Sequence, residues 1–403
     1  VKAGDGGNIM KLKKDVCVIG GGVMGLATAY YLLKAGKSVV ILEKAEIGGG
    51  ASSSCDDMIL LQSKKPGIAL TLAMESLEIY RGLSDELNAD IGFYSHGGMI
   101  IIENDIQLRV MEDFVRKQVS CGLDVEIVDR NTLFKKQPHV ARYMIASTYS
   151  KSDSQVNPLT LMRAFLNNGL KMGMDVFRNT PVLEIVQRGD HWMVRGQNDT
   201  EVECDNVVIA AGAWSAQVGE LIGIHIPITP IKGQLAVTEQ IAPIGETNCW
   251  TAAYIASKHD PSILSDRSDY DKKIGLGFSF TRAGEGNYLI GSTRENAGFD
   301  KATSFNALSR ILEQARIYFP VMNNVNIIRT MAGFRPGTED GSPIIGAVDG
   351  FPGLFIAAGH EGDGVALSPI TGKSVSEMIC GIGDHKRFEE LNLRRFSSAV
   401  AEV

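Results

Sequence analysis

Gly20, Gly22 and Gly25 stand at G-x-G-x-x-G spacing directly after the apolar run Val16-Cys17-Val18-Ile19, and the next apolar run, Val39-Val40-Ile41-Leu42, ends on Glu43. Read in order, this is a strand, a glycine turn, a helix, a second strand and an acid, the order of a dinucleotide-binding βαβ unit. Gly20 permits the tight turn, Gly22 lets the backbone approach a pyrophosphate, and Gly25 lets the helix lie close to the strand. The helix beyond Gly22, with Met24 in its first turn, offers phosphates free N–H groups and a partial positive charge. Glu43 stands where a carboxylate accepts hydrogen bonds from ribose hydroxyls, with Lys44 beside it.

A second set of glycines, Gly359, Gly362 and Gly364, follows the apolar run Leu354-Phe355-Ile356-Ala357-Ala358. Here the pattern predicts a strand-to-helix turn whose backbone can approach a planar ring, with a helix from about Gly364 to Cys380 aiming its N-terminus at that ring. His360 sits in the turn and helps shape the site. Arg335 lies between a glycine-phenylalanine pair and a proline-glycine pair. A guanidinium is planar, permanently charged and able to grip a carboxylate with two parallel hydrogen bonds.

These residues need a scaffold. The chain has 403 residues, enough for two domains and a sizeable core. Helices are expected over residues 67–87, 106–121, 158–172 and 304–318, and strands over 91–103, 125–128, 175–177, 181–187 and 191–196. Val207 to Ser215 reads as a buried strand entering a glycine turn, and residues 228–318 turn to longer strands of an antiparallel sheet. The expected fold is α/β: a discontinuous dinucleotide domain from residues 10–88, 150–227 and 330–395, and an inserted α+β domain from 89–149 and 228–329. Residues 1–9 read as a cloning remnant ahead of a natural start at Met10.

Composition narrows the function. The net charge of −7 is mild, with no basic run to mark a nucleic-acid footprint, and no apolar run reaches the length of a membrane span. The six cysteines form no CxxC pair, no zinc-spaced cluster and no iron–sulfur run, so no metal is expected and reduced thiols in the cytoplasm are.

Four motifs together resemble the D-amino-acid oxidase superfamily of FAD enzymes, which includes glycine oxidase and sarcosine oxidase: Gly20 to Gly25 with Glu43, Val207 to Ser215, Gly333 to Gly346, and Gly359 to Gly372. The last looks most like the flavin subunits of heteromeric dye-linked dehydrogenases, which act on hydroxyproline, on opines, or on glycine in hydrogen cyanide synthase. The resemblance implies a glutathione-reductase-like FAD domain and non-covalent FAD. It implies that Ala51, Ser52 and Ser53 hold the pyrophosphate and lie beside the flavin, that the backbone of Val182 pairs with the adenine, and that Ala211, Gly212 and Trp214 cover the dinucleotide. It also implies that Gly362, Asp363, Gly364, Val365 and Ala366 face the flavin pyrimidine, and that Arg335 forks onto the substrate α-carboxylate.

The expected reaction is oxidation of an amino or imino acid by hydride transfer from its α-carbon to flavin N5. Electrons would then pass to a partner subunit or a quinone-type acceptor. Relatives of this kind add a ferredoxin-like iron–sulfur subunit and an FMN at the subunit interface, and peripheral attachment at the inner membrane face is left open. An oxygen-using oxidase, a nicotinamide-dependent dehydrogenase and a non-catalytic flavin-carrying scaffold are the rival readings. The chain departs from the family pattern in two places. Glu361, Gly362 and Asp363 stand where some relatives carry a further basic residue, so cation support for the carboxylate is thinner or comes from elsewhere. Asp56, Asp57 and Met58 occupy a stretch that usually holds small residues, after a cysteine, Cys55, in the early loop.

Overall fold

A computed structural model describes residues 10–256, 261–383 and 385–396; the expected remnant, residues 1–9, lies outside the described residues. The opening unit folds as strand β1 (Met10–Ile19), helix α1 (Val23–Lys34) and strand β2 (Val39–Leu42). β1 pairs in parallel with β2 and, on its other side, with the strand Thr200–Ile209, which pairs in parallel with Leu354–Ala358. The strand Asp175–Phe177 extends the sheet beyond β2, and Ile344–Ala347 closes the opposite edge antiparallel to Leu354–Ala358.

The pairing explains the sequence pattern. Val16–Ile19 and Val39–Leu42 are buried on both faces, as central parallel strands are, so they read as unbroken apolar runs. The first half of β1 alternates instead, and its exposed Lys11 and Lys13 lie opposite Glu201 and Glu203 and pair with them. Helix α1 packs against the helices Pro158–Lys171 and Gly364–Ile379 on one face of the sheet. On the other face the hairpin Val182–Arg188 and His191–Gly196 folds over it, with Trp192 fully buried and its indole N–H donating to Pro352 O (2.9 Å).

The second sheet has eight strands, in the order 327–338, 228–238, 288–291, 279–282, 248–251, 98–102, 146–150 and 126–129. All its pairs are antiparallel except 248–251 with 98–102. The strand Ile327–Thr338 stays in this sheet up to Thr338, eight residues beyond the point at which the sequence suggested a return to the first unit. The expected strand over 91–103 shortens to Gly98–Ile102, because Gly92 and Gly97 adopt positive φ and break the extended run. Short helices at Arg130–Lys136, Ala252–Ala256 and Asp269–Lys273 carry too few turns to show a period in the sequence. The longer helices start where their caps stand. Asn104 Oδ1 accepts from Gln107 N, Asn157 Oδ1 accepts from Leu159 N and Thr160 N ahead of Pro158, and Ser304 Oγ accepts from Ala307 N.

Candidate active site

A cavity of about 540 Å³ lies where the C-terminal ends of β1, β2, Thr200–Ile209 and Leu354–Ala358 meet the inner face of the second sheet. Ligands of open α/β sheets gather at such strand ends. Gly20 turns the chain at φ +113°, and a Cβ there would lie 2.5 Å from Ala210 O. A Cβ on Gly25 would lie 1.9 Å from Gly20 O, so this glycine serves helix–strand contact and stands back from the cavity.

Gly20, Gly22 and Met24 line the cavity, and no side chain caps α1 at Gly22. The loop Ala51–Ser53 is a single tight turn whose Ser52 Oγ accepts from Val23 N (3.1 Å), joining this turn to the helix start. Ala51 and Ser52 line the cavity. Ser53 differs from expectation: its hydroxyl folds back to Gly50 O, and Ser54 faces the cavity in its place. Glu43 lines the cavity with both carboxylate oxygens engaged, accepting from Gly21 N (2.7 Å) and Ala45 N (2.9 Å). Lys44 lies over the Trp214 ring, 3.3 Å from its centroid, and Phe299 stacks against Trp214 at 5.0 Å. Val182, Ala211 and Gly212 complete this end.

At the other end stands the turn before the helix Gly364–Ile379. Gly362, Asp363, Gly364 and Val365 line the cavity. Ala366 does not: it is turned inward, and its carbonyl accepts from Ser76 Oγ (2.6 Å). His360 is buried, with Nε2 bonded to Thr371 Oγ1 (3.1 Å) and Nδ1 without a partner among the described residues. Burial pushes its pKa down to about 3, so the ring is neutral at physiological pH. Glu361 N–H donates to Pro336 O (3.0 Å) and ties this turn to the strand that carries Arg335.

Arg335 reaches the cavity from the second sheet. Its guanidinium donates to Thr293 O (2.8 Å) and Ser292 Oγ (3.0 Å). It lies over Gly233, where a Cβ would sit 2.3 Å from Nη1. Arg294 also lines the cavity, ion-paired with Glu361. Arg294 thus puts a second guanidinium on the cavity wall, with Glu361, one of the residues standing where some relatives carry a basic residue, as its counter-ion. Sequence reasoning did not find Arg294, Gly233 or Lys64, which contact the motifs across 67, 102 and 299 residues respectively (from 294 to 361, from 233 to 335, and from 64 to 363).

The early loop is acidic and partly buried. Burial, reinforced by the charge of Asp56, pushes Asp57 up to about 7, and burial raises the Cys55 thiol well above its ordinary range, so the sulfur carries a proton. All six cysteines are free. No cluster of three or more metal-ligating side chains occurs among the described residues, and none of their helices is long and apolar enough to cross a membrane.

The two helix starts, neither capped by the side chain of its own N-cap residue, the bare backbone at Gly20 and Gly22 and the orphaned His360 Nδ1 suit a large anionic ligand with a polar ring. A family model described as FAD dependent oxidoreductase matches residues 15–378. Glycine oxidase from Bacillus subtilis is 27% identical over 381 residues, covering 92% of this chain and 94% of that protein. The hydrogen cyanide synthase subunit HcnC of Pseudomonas protegens is 28% identical over 412 residues, covering 91% and 92%. The crystal structure of glycine oxidase from Geobacillus kaustophilus superposes with a TM-score of 0.85 at 24% identity, covering 95% of this chain and 99% of that one.

Proposed function

The chain belongs to the FAD dependent oxidoreductase family, and from that premise we propose that it oxidises the CH–NH or CH–NH2 group of an amino or imino acid and hands the electrons to a partner subunit or quinone-type acceptor. The first sheet is the FAD unit and the second the substrate unit. FAD, when bound, supplies the hydride-accepting ring. Gly20, Gly22, Ser52, Glu43 and Val182 would hold its dinucleotide, and Gly362 to Val365 its pyrimidine edge.

One observation carries the reading. Arg335 and the 360–365 turn face the same cavity from two different sheets, joined by the hydrogen bond from Glu361 N to Pro336 O. Arg335 would grip the carboxylate and fix the α-carbon over the ring. The neutral His360 shapes the turn and cannot serve as a cationic acid at neutral pH. The site's apolar walls, with Trp250, Ile255 and Phe278 among them, exclude water and favour the neutral amine of the substrate. The likeness to HcnC, named as a subunit of hydrogen cyanide synthase, supports a heteromeric assembly, and the reading we favour is a dehydrogenase of the D-amino acid, hydroxyproline, glycine or opine type. With it come an interfacial FMN, a ferredoxin-like iron–sulfur partner and a cytoplasmic or peripheral membrane location. The likeness to glycine oxidase favours a second reading, direct reaction with oxygen to give hydrogen peroxide.

The test is anaerobic. Purified protein carrying FAD is mixed with D-amino acids, glycine, sarcosine, hydroxyprolines and opines, and loss of the flavin absorbance identifies the substrate class. Admitting air then separates the two readings: rapid recovery with peroxide means an oxidase, and a flavin that stays reduced until an artificial acceptor is added means a dehydrogenase. Bound FAD that no compound bleaches would leave a scaffold subunit instead.

A further inference from the structure

The helix Gly364–Ile379 begins with an acid at its N-cap, yet that acid does not cap it. Asp363 makes no side-chain hydrogen bond to the first-turn N–H groups; its Oδ1 instead meets Lys64 Nζ at 2.5 Å. Left alone, a carboxylate on the cavity wall at this point would offset the positive end of the helix, the feature that favours extra electron density on a ring placed there. Lys64 removes that conflict while Gly364 and Val365, which begin the helix, line the cavity.

Lys64 is held for this task by a buried network. Its side chain is 5% exposed, a costly state for an ammonium. The Gln118 amide donates to Lys64 O (2.9 Å) and Gln62 O (3.0 Å). Asp153, also buried, accepts from Leu61 N (2.7 Å) and the Gln62 amide (2.5 Å). Ser63 Oγ accepts from the ammonium (3.1 Å). Four segments thus converge to hold one cation beside one acid on the cavity wall. A purely structural role does not need the pair, since replacing both members of a buried ion pair with well-packed apolar side chains is often neutral for stability.

We propose that Lys64 is an electrostatic positioning residue: by neutralising Asp363 it keeps the positive end of the Gly364–Ile379 helix effective and thereby raises the reduction potential of the flavin and its affinity for anionic adducts. This inference rests on the flavin lying at that helix end. Its test compares the full-length holoprotein with Lys64→Met, Lys64→Arg, Asp363→Asn and the Lys64→Met/Asp363→Asn double variant. The readouts are flavin content, the two-electron midpoint potential by dye equilibration, and the dissociation constant for sulfite, which adds to oxidised flavin and leaves it anionic.

Lys64→Met should weaken sulfite binding about tenfold and lower the potential by about 30 mV, the equivalent of tenfold for a two-electron couple. Asp363→Asn should shift both in the opposite direction, the double variant should return towards the parent, and Lys64→Arg should stay near it. Unchanged values in Lys64→Met at full flavin content overturn the proposal, and so do shifts of the same sign in the two single variants. If Lys64→Met fails to hold flavin, Asp363→Asn decides alone: tighter sulfite binding supports the proposal and unchanged binding overturns it. A parent protein that binds no FAD would instead overturn the site assignment on which the inference rests.

Discussion

Gly233 makes room for Arg335: a Cβ on the glycine would lie 2.3 Å from Nη1 and 2.7 Å from Cζ of the guanidinium. The two residues sit on neighbouring antiparallel strands whose register sets Gly233 opposite Gly333 and Ile231 opposite Arg335. The obstructed atoms belong to the tip of a long side chain, so an added methyl displaces the guanidinium and leaves the ladder intact. Gly233→Ala should therefore raise KM for the carboxylate substrate by about tenfold, with flavin content and Tm close to the parent values. Steady-state kinetics beside a thermal melt check this, and an unchanged KM would show that the guanidinium does not hold substrate where the structure puts it.

Arg335→Ala should raise KM on the order of tenfold to a hundredfold, the equivalent of a charged hydrogen-bonded contact of about 1.5–3 kcal/mol. Because Gly233→Ala acts through the same guanidinium, the double variant should be no worse than Arg335→Ala alone. Additive losses would mean that the glycine shapes the cavity by some other route.

The glycines of the first turn separate by mechanism. A Cβ on Gly22 would lie 3.3 Å from Ser52 Oγ and a larger side chain would enter the cavity, so Gly22→Val should abolish FAD binding with a modest loss of Tm. A Cβ on Gly25 collides with backbone at 1.9 Å, so Gly25→Val should lower Tm markedly as well. Flavin absorbance per protein and a melt of each apoprotein distinguish them; stoichiometric flavin in Gly22→Val would remove the pyrophosphate assignment.

Between about pH 3 and 6.5 two buried residues should pull stability in opposite directions. His360 is neutral in the folded protein down to about pH 3, whereas the unfolded chain takes up a proton near 6.5. Stability from this residue is lost as pH falls from 6.5 towards 3. Asp153 is pushed by burial up to about 6 against an ordinary 3.8, so its share is present in acid and lost as pH rises from 3.8 to 6. His360→Gln should flatten the acid side of a Tm-against-pH profile, and Asp153→Asn should reduce the decline between pH 4 and 6. Parallel profiles for parent and variant would contradict the corresponding assignment.

Residues that signal locally were legible in the sequence. The βαβ unit announced itself because both strands are buried on both faces and the turn between them needs its glycines. Asn157-Pro158 and Ser304 marked helix starts because capping is a contact within four residues. Arg335 was legible as a cation among glycines, yet its socket was not. Gly233 lies in a strand, and Ser292 and Thr293 follow directly on another, whose pairing is set by long-range register, and nothing near them in sequence says which guanidinium they will meet. Nothing local marks Lys64, next to Lys65, as a buried side chain. Only the fold shows that Gln118 and Asp153 hold its turn inside. The apolar stretch near Ile91 misled because positive-φ glycines, invisible to a count of hydrophobic residues, cut it short.

The bond between Lys64 and Asp363 closes a span of 299 residues. During synthesis the glycine turn leaves the ribosome long before the helix that faces it; β1 waits for residues 200–209 to pair with it, and those in turn wait for the strand at 354–358. The cavity is thus complete only once residues 354–365 have been made, and cofactor loading follows their synthesis.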